Sequence, residues 1–404
     1  MRVPAKWITT MSNNTEQFLH RNISDLEQLK AQHTAREITQ QLALWEQLGE
    51  FLAPTKSALK RFLAPLFELP KLQVLLTGAG TSAFIGEAIA SHLKSQSKLN
   101  ITALASTDLV SNPELYLSEN IPTLLVSFAR SGNSPESVAS VDIVDRWINQ
   151  SYHLFITCNA QGELACSAKE NPTRFCLQMP EPTNDQSFAM TSSYSCMYLS
   201  ALDCFDTPSD SLKQQQRQLL ANSAKQNIDH FVKVSSDIVQ NPPERIVFLG
   251  SGTLQGNAHE AALKCMELSA GKLIASHDSS LGFRHGPKFI VNEKTLVVVF
   301  RSNDSYTQKY DDDIVKELCA DNVARVLVIN ASSNQNTTLQ LHTHSAALLD
   351  VYQGLLGVMF AQVLAFSLSL EKGLSPDNPC PSGEVNRVVQ GVIIHADEKA
   401  NNNG

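Results

Sequence analysis

The sequence predicts an α/β protein: two tandem doubly wound parallel-sheet domains, each a three-layer α-β-α arrangement, behind a helical N-terminal extension. Three observations carry this expectation. The 404 residues are more than one hydrophobic core usually serves. Short apolar strands alternate with stretches of helical spacing, the pattern of parallel sheets. A strand, glycine turn and helix beginning at Leu72 is also written a second time, beginning at Arg245.

The first 70 residues are polar with helical spacing. Trp45, Leu48, Phe51 and Leu52 form an apolar stripe, and residues 1–50 are read as the helical extension. From Leu72, QVLLTGAGTSAFIGEAIASHL gives a strand, a turn with hydroxyls, and a helix; from Arg245, RIVFLGSGTLQGNAHEAALKCMEL does the same. The next strand reaches Ala129 in one copy and Arg301 in the other, each 51 residues after its first glycine, Gly78 or Gly250. A further strand ends at Asn159, 81 residues on, and its counterpart at Asn330, 80 residues on. This agreement defines a first domain over 51–215 and a second over 216–393, joined through a helical segment around 208–240 and followed by a polar tail, 394–404.

A composition of 43% hydrophobic and 18% charged residues belongs to a globular chain rather than a disordered one. With 32 Lys and Arg against 40 Asp and Glu, the chain lacks the basic footprint of a nucleic-acid binder. The eight cysteines show no C-x-x-C pair and no zinc-like spacing, so they read as reduced thiols. The N-terminus has no apolar signal region. The apolar run Gly354 to Leu370 contains Gln362 and lies between Asp350 and Glu371, which predicts a buried helix rather than a membrane span. The expectation is a cytoplasmic protein with neither nucleic-acid nor membrane partners.

Ligands of open parallel sheets sit at the carboxyl ends of the strands, where helix N-termini point. Gly78-Ala79-Gly80-Thr81-Ser82-Ala83 fits a dinucleotide pattern, but Asp108 follows Gly78 by 30 residues, later than the roughly 20 such units use. The Thr81-Ser82 pair, at a helix N-terminus, makes a good seat for a phosphate monoester; helix capping by the same hydroxyls is the alternative. After the next strand, Ser131, Gly132 and Ser134 can wrap phosphate oxygens, with Arg130 adding charge and Asn133 within the loop. A polar capping loop is the alternative. The second half has RSNDSYTQK there, without a glycine, so only the first half keeps a loop suited to close anion approach.

Chemistry candidates lie in the second half. Glu267, in AALKCMELSAG, has Ala262, Cys265, Met266 and Ser269 nearby, and a carboxylate partly withdrawn from water suits proton transfer near neutral pH. His285 stands between Arg284 and the turn pair Gly286-Pro287, 18 residues after Glu267, and can serve as acid and base. His342 and His344 lack sequence partners and are read as structural. No P-loop, H-E-x-x-H or G-x-S-x-G motif occurs.

GAGTSAF, SFARSGNSPES, AMTSSYS, ALKCMELSAG, LGFRHGPK and PSGEVNRVVQGV, in this order over roughly 33–393, together resemble the sugar isomerase (SIS) domain family. The likeness is to its AgaS group of tagatose-6-phosphate ketose/aldose isomerases and galactosamine-6-phosphate deaminases. With the isomerase half of glucosamine-6-phosphate synthase as mechanistic relative, the resemblance implies a sugar-phosphate site at Gly80, Thr81 and Ser82 and a phosphate loop over Ala129, Arg130, Ser131, Gly132, Asn133 and Ser134. In that loop the family's first serine and its glutamine are replaced. Thr191 of AMTSSYS is implied as a substrate contact. The implied proton shuttle is Glu267 and the ring-opening residue His285, which the relative supplies from a neighbouring subunit, so a homodimer or higher homo-oligomer with shared sites is expected. The relative's C-terminal lysine falls near Asn386 and Arg387, where no lysine stands.

The expected activity is conversion of galactosamine 6-phosphate to tagatose 6-phosphate and ammonia through ring opening and an enolamine, with no metal and no cofactor. Glutamine-driven amination and transcription regulation are not expected, because neither an amidotransferase nor a helix-turn-helix segment precedes the first SIS part. A plain aldose–ketose isomerase, a non-catalytic sugar-phosphate sensor and a nicotinamide dehydrogenase are the alternatives. The choice of the galacto over the gluco sugar rests on the resemblance alone.

Overall fold

The computed structural model describes residues 17–330, 339–341, 347–389 and 391–396. His342 and His344 lie outside the described residues. A hairpin pairing Gln17–Phe18 with Arg21–Asn22 and a short helix Ile23–Gln28 precede the first long helix, α1, Gln32–Phe67. Trp45, Leu48 and Leu52 are buried along one face of α1, as the stripe predicts, and the helix passes through position 50 without a break.

The first sheet comprises β1 (Gln73–Thr77), β2 (Asn100–Ala103), β3 (Thr123–Ala129), β4 (Ser151–Thr157) and β5 (Arg174–Gln178), all parallel in the order β2-β1-β3-β4-β5. Its longer helices are α2 (Thr81–Gln96), α3 (Pro135–Trp147) and α4 (Ser192–Phe205), with short helical turns at Ser106–Ser111 and Glu163–Ser167. A long α5 (Asp210–Gln240) leads to the second sheet. That sheet has β6 (Arg245–Gly250), β7 (Ile274–Asp278), β8 (Thr295–Phe300), β9 (Arg325–Ile329) and β10 (Leu339–Leu341), parallel in the order β10-β9-β8-β6-β7, with helices α6 (Thr253–Leu268), α7 (Thr307–Asp321) and α8 (Asp350–Glu371). Counted from its own first strand, each sheet has the order 2-1-3-4-5, so the duplication read from strand spacing is present in the topology. In each half the glycine turn after the first strand and the loop after the third meet at the point where the strand order reverses, where such sheets bind ligands.

Successive strand residues face opposite sides of a sheet. Val74, Leu124, Val126 and Phe128 of the first sheet, with Leu296, Val298 and Phe300 of the second, join one core between the sheets. Leu75 and Leu125 face a separate outer core, and Val297 and Val299 another. Burial on both faces explains the nearly unbroken apolar strands; each fully buried Val or Leu contributes roughly 1.5–3 kcal/mol. The apolar helix α8 fills the central layer and is almost wholly buried within the protein, as its flanking charges predict.

Within that layer α2 and α6 pack against each other. A Cβ on Gly256 would lie 2.5 Å from the backbone N of Ala88, so only glycine permits this approach. Glu87 accepts a 2.8 Å hydrogen bond from His259, whose ring stacks on Phe84 at 3.6 Å. The pair runs antiparallel: Thr81, at the start of α2, meets Lys264 near the end of α6. This packing brings a helix of the second half to the glycine turn of the first.

Candidate active site

The turn after β1 places Gly80 at φ +55°, in the left-handed region, and nothing lies within 4 Å of where its Cβ would be. Open space therefore faces the start of α2. Ser82 borders this space, its hydroxyl making only a long contact of 3.9 Å to Met190 Sδ. The Thr81 hydroxyl is turned away: it accepts a 2.9 Å hydrogen bond from Lys264. Thr81 is thus a tie between the halves rather than the expected phosphate contact.

Lys264 is the centre of a buried charge cluster. Glu260, Lys264 and Glu267 are spaced four and three residues apart and share one face of α6. Glu260 and Lys264 are wholly buried, whereas the Glu267 side chain keeps 22% exposure. The ammonium pairs directly with Glu267 and lies 3.4 Å from Glu260. Burial pushes the Glu260 carboxyl up to about 8, with Lys264 opposing and Glu267 adding to the rise; neither Glu260 oxygen completes a well-formed hydrogen bond. Burial also works against the charge on Lys264, but the two carboxylates outweigh it and hold the ammonium proton more tightly than usual. The apolar surround expected for Glu267 is corrected accordingly: a buried lysine faces its carboxylate. Glu260 and Lys264 escaped the motif reading, although three charges at helical spacing inside an apolar helix were a signal for them.

Arg130, after β3, is buried. Its guanidinium donates to the carbonyls of Ser187 (3.3 Å), Phe188 (3.2 Å) and Arg387 (2.7 Å). Burial first, then Arg387, weighs against its charge, and the negative charges of Asp185 and Glu267 support it. Arg387, on the chain after α8, donates to the carbonyls of Ser187 (3.2 Å) and Asp185. The C-terminal segment therefore crosses to the first sheet and lays a second guanidinium beside the first.

Ser82, Arg130, Ser131, Ser134, Glu136 and Arg387 line a cavity of about 110 Å³, smaller than the few hundred Å³ of sites that enclose a whole small molecule. Ser134 caps α3 through Ser137 while bordering the cavity, so the capping and lining readings both hold for it. Glu136 was missed by motif reading; its Oε2 is buried there without a hydrogen-bond partner.

Four expected contacts turn elsewhere. Asn133 accepts from Glu163 N at 2.8 Å, capping a neighbouring short helix, and Gly132 serves the same junction by accepting from Leu164 N at 3.1 Å. Thr191 is fully buried and bound to the Asp185 carboxylate through its N–H (2.8 Å) and hydroxyl (3.3 Å). Asn386 is exposed and closes a local turn onto Gly383 O at 2.9 Å, outside the cavity lining.

Asp185 and Glu37 hold the loop whose carbonyls accept from the arginines. Asp185 also accepts the N–H of Ser193 (2.9 Å) and the hydroxyls of Ser192 and Ser193 at the start of α4. Glu37, from α1, accepts the N–H groups of Gln186 (2.6 Å) and Ser187 (3.2 Å), and burial together with Asp185 pushes its carboxyl up to about 7. His285 lies apart, exposed after β7, and its side chain makes no hydrogen bond or ion pair among the described residues. Leu281 and Phe289 beside it are 47% and 97% exposed. Within one chain, Glu267 and the arginines converge on one edge, while His285 is left outside it.

Comparison with known proteins gives the following. The SIS domain model matches residues 69–203. The chain is 42% identical to the D-galactosamine-6-phosphate deaminase AgaS of Shewanella sp. strain ANA-3, over 92% of this chain and 93% of that protein. It is 45% identical to the D-galactosamine-6-phosphate deaminase AgaS of Escherichia coli, over 90% of this chain and 95% of that one. The crystal structure of tagatose-6-phosphate ketose/aldose isomerase from Escherichia coli superposes with a TM-score of 0.84 at 42% identity, covering 91% of this chain and 97% of that chain.

Proposed function

The chain belongs to the SIS-domain family, in its AgaS group of galactosamine-6-phosphate deaminases, and we propose that it converts galactosamine 6-phosphate and water to tagatose 6-phosphate and ammonium by proton transfer at Glu267. The carrying observation is the Glu260–Lys264–Glu267 cluster at the first glycine turn, next to two guanidiniums.

The phosphate sits in the cavity between Ser82, Ser131, Ser134 and the two arginines, which replace the family's glutamine and C-terminal lysine. Holding the far end of the sugar fixes C1 and C2 near Glu267. His285 from a second copy of the chain opens the ring and exposes the C1 aldehyde. Glu267 takes the C2 proton; the C–H pair forms the C1–C2 double bond while the C1=O π pair moves to O1, which takes a proton from water, giving an enolamine. The same carboxyl returns the proton to C1, leaving a C2 imine. Water adds to C2 and the C–N bond breaks, giving the ketose and ammonia, protonated to ammonium. Lys264, itself held by Thr81, pairs with the Glu267 carboxylate before it takes the proton and fixes its orientation. We place the reaction in the cytoplasm, where the eight unpaired cysteines stay reduced.

The name of the Escherichia coli structure favours one second reading, a plain aldose–ketose isomerase acting on tagatose 6-phosphate through the same carboxylate. Ammonia assayed beside ketose formation separates the two. Stoichiometric ammonia from galactosamine 6-phosphate is expected. Interconversion of tagatose 6-phosphate with its aldose, without ammonia from the amino sugar, would overturn the deaminase.

A further inference from the structure

The antiparallel helix pair that builds the catalytic edge builds a second edge at its other end. Thr81 at the start of α2 meets Lys264 late in α6, and Ala88 faces Gly256 at the crossing. In the same register Thr253, at the start of α6, shares a cavity with His92 and Ser95 late in α2. The two glycine turns are superposable in conformation, with φ and ψ of 55° and −129° at Gly80 and 60° and −124° at Gly252, and both face open space. Ser95 follows Gly80 by the same 15 residues that separate Glu267 from Gly252, and His92 corresponds to Lys264. The cavity in front of Gly252 measures about 600 Å³ and is the image of the catalytic site with the roles of the two halves exchanged.

Its chemistry has changed in two respects. No carboxylate stands at the proton-transfer position, where Ser95 replaces glutamate, and His92 is engaged with Asp206 at 3.1 Å. The anion positions of the loop after β8 are filled by the chain itself. Asp311 accepts from Ser302 N at 2.9 Å, Asp350 from Asn303 N at 2.7 Å, and Asp304 from Tyr306 N and Thr307 N at 3.1 and 2.8 Å. A phosphate would have to displace these carboxylates. The described lining contains no lysine or arginine; it offers Ser91, Ser95, Ser251 and Thr253 hydroxyls beside Asp304 and Asp350. Asp304 is exposed, and its hydrogen bonds from Thr307 hold its carboxyl below the usual range, so it presents a full negative charge.

We infer that this cavity is a second, non-catalytic site for an unphosphorylated amino sugar, whose hydroxyls meet the serine and threonine side chains and whose ammonium meets Asp304. It stands independently of the reaction assigned to Glu267.

The test is titration calorimetry of the intact protein with D-galactosamine and with D-galactose. Saturable millimolar binding of galactosamine is expected, retained in Glu267→Gln and weakened about tenfold or more, at least 1.4 kcal/mol, by Asp304→Asn and by Ser95→Trp. Galactose, lacking the amine, should bind correspondingly more weakly. Both cavity variants should turn over galactosamine 6-phosphate as the parent does, which shows them folded. Absence of saturable binding would overturn the inference. So would binding that disappears in Glu267→Gln, or that survives unchanged in either cavity variant.

Discussion

Glu260 shows how a residue can be energetically costly and still be kept. In the folded protein its burial holds the proton up to pH about 8, whereas the unfolded chain releases it near 4.5. Between those values folding takes up a proton, so this group's contribution to stability falls as pH rises through the window. Glu260→Gln should flatten that decline, read as denaturation midpoints at pH 5 and pH 8; an unchanged slope would show that Glu260 is ionised when folded. Glu267 was legible in the sequence because an acid stands in an apolar helical run within a recognisable motif. Its neighbours were not, because the spacing of Glu260 and Lys264 does not say that their face packs on the start of α2. Asn133 turned elsewhere for the opposite reason: a polar loop side chain reads alike whether it caps a helix or meets a ligand. Thr191, implied only by the resemblance, is taken up by the Asp185 carboxylate.

At the level of elements, the loop 185–191 and the segment after α8 hold two arginines side by side, the arrangement to which the proposed function gives the phosphate. Asp185 and Glu37 fix the loop by accepting its N–H groups, and its carbonyls then hold Arg130 and Arg387. Removing the outer arginine should weaken ground-state and transition-state binding alike. Arg387→Ala is therefore expected to raise KM for the sugar phosphate about tenfold while kcat stays within about threefold. A collapse of kcat at unchanged KM would place Arg387 at the reacting carbons instead. Three strands of each sheet and the duplication were legible, since both rest on local pattern and spacing, whereas the edge strands β5, β7 and β10 were not read. The path of the C-terminal segment was not, because it depends on a contact between residues 257 positions apart.

The whole molecule is a duplicated sheet pair in which one half lends its helix to the other's ligand edge. His285 is exposed, with Leu281 and Phe289 exposed beside it, and under the proposed mechanism it serves the site of a second copy. Sharing between copies has a quantitative signature. Glu267→Gln and His285→Ala proteins, each inactive alone, should recover about one quarter of parental activity when unfolded together and refolded in equal amounts as dimers, since half the dimers are mixed and each carries one intact site. No recovery would place His285 in its own chain's site. The most direct measurement of the central claim is ammonia release from galactosamine 6-phosphate by the Glu267→Gln protein, with tagatose 6-phosphate binding measured in the same preparation. A loss of turnover on the order of a thousandfold with near-parental binding is predicted for a lost proton-transfer group. Retention of most of the activity would contradict the assignment of that role to Glu267.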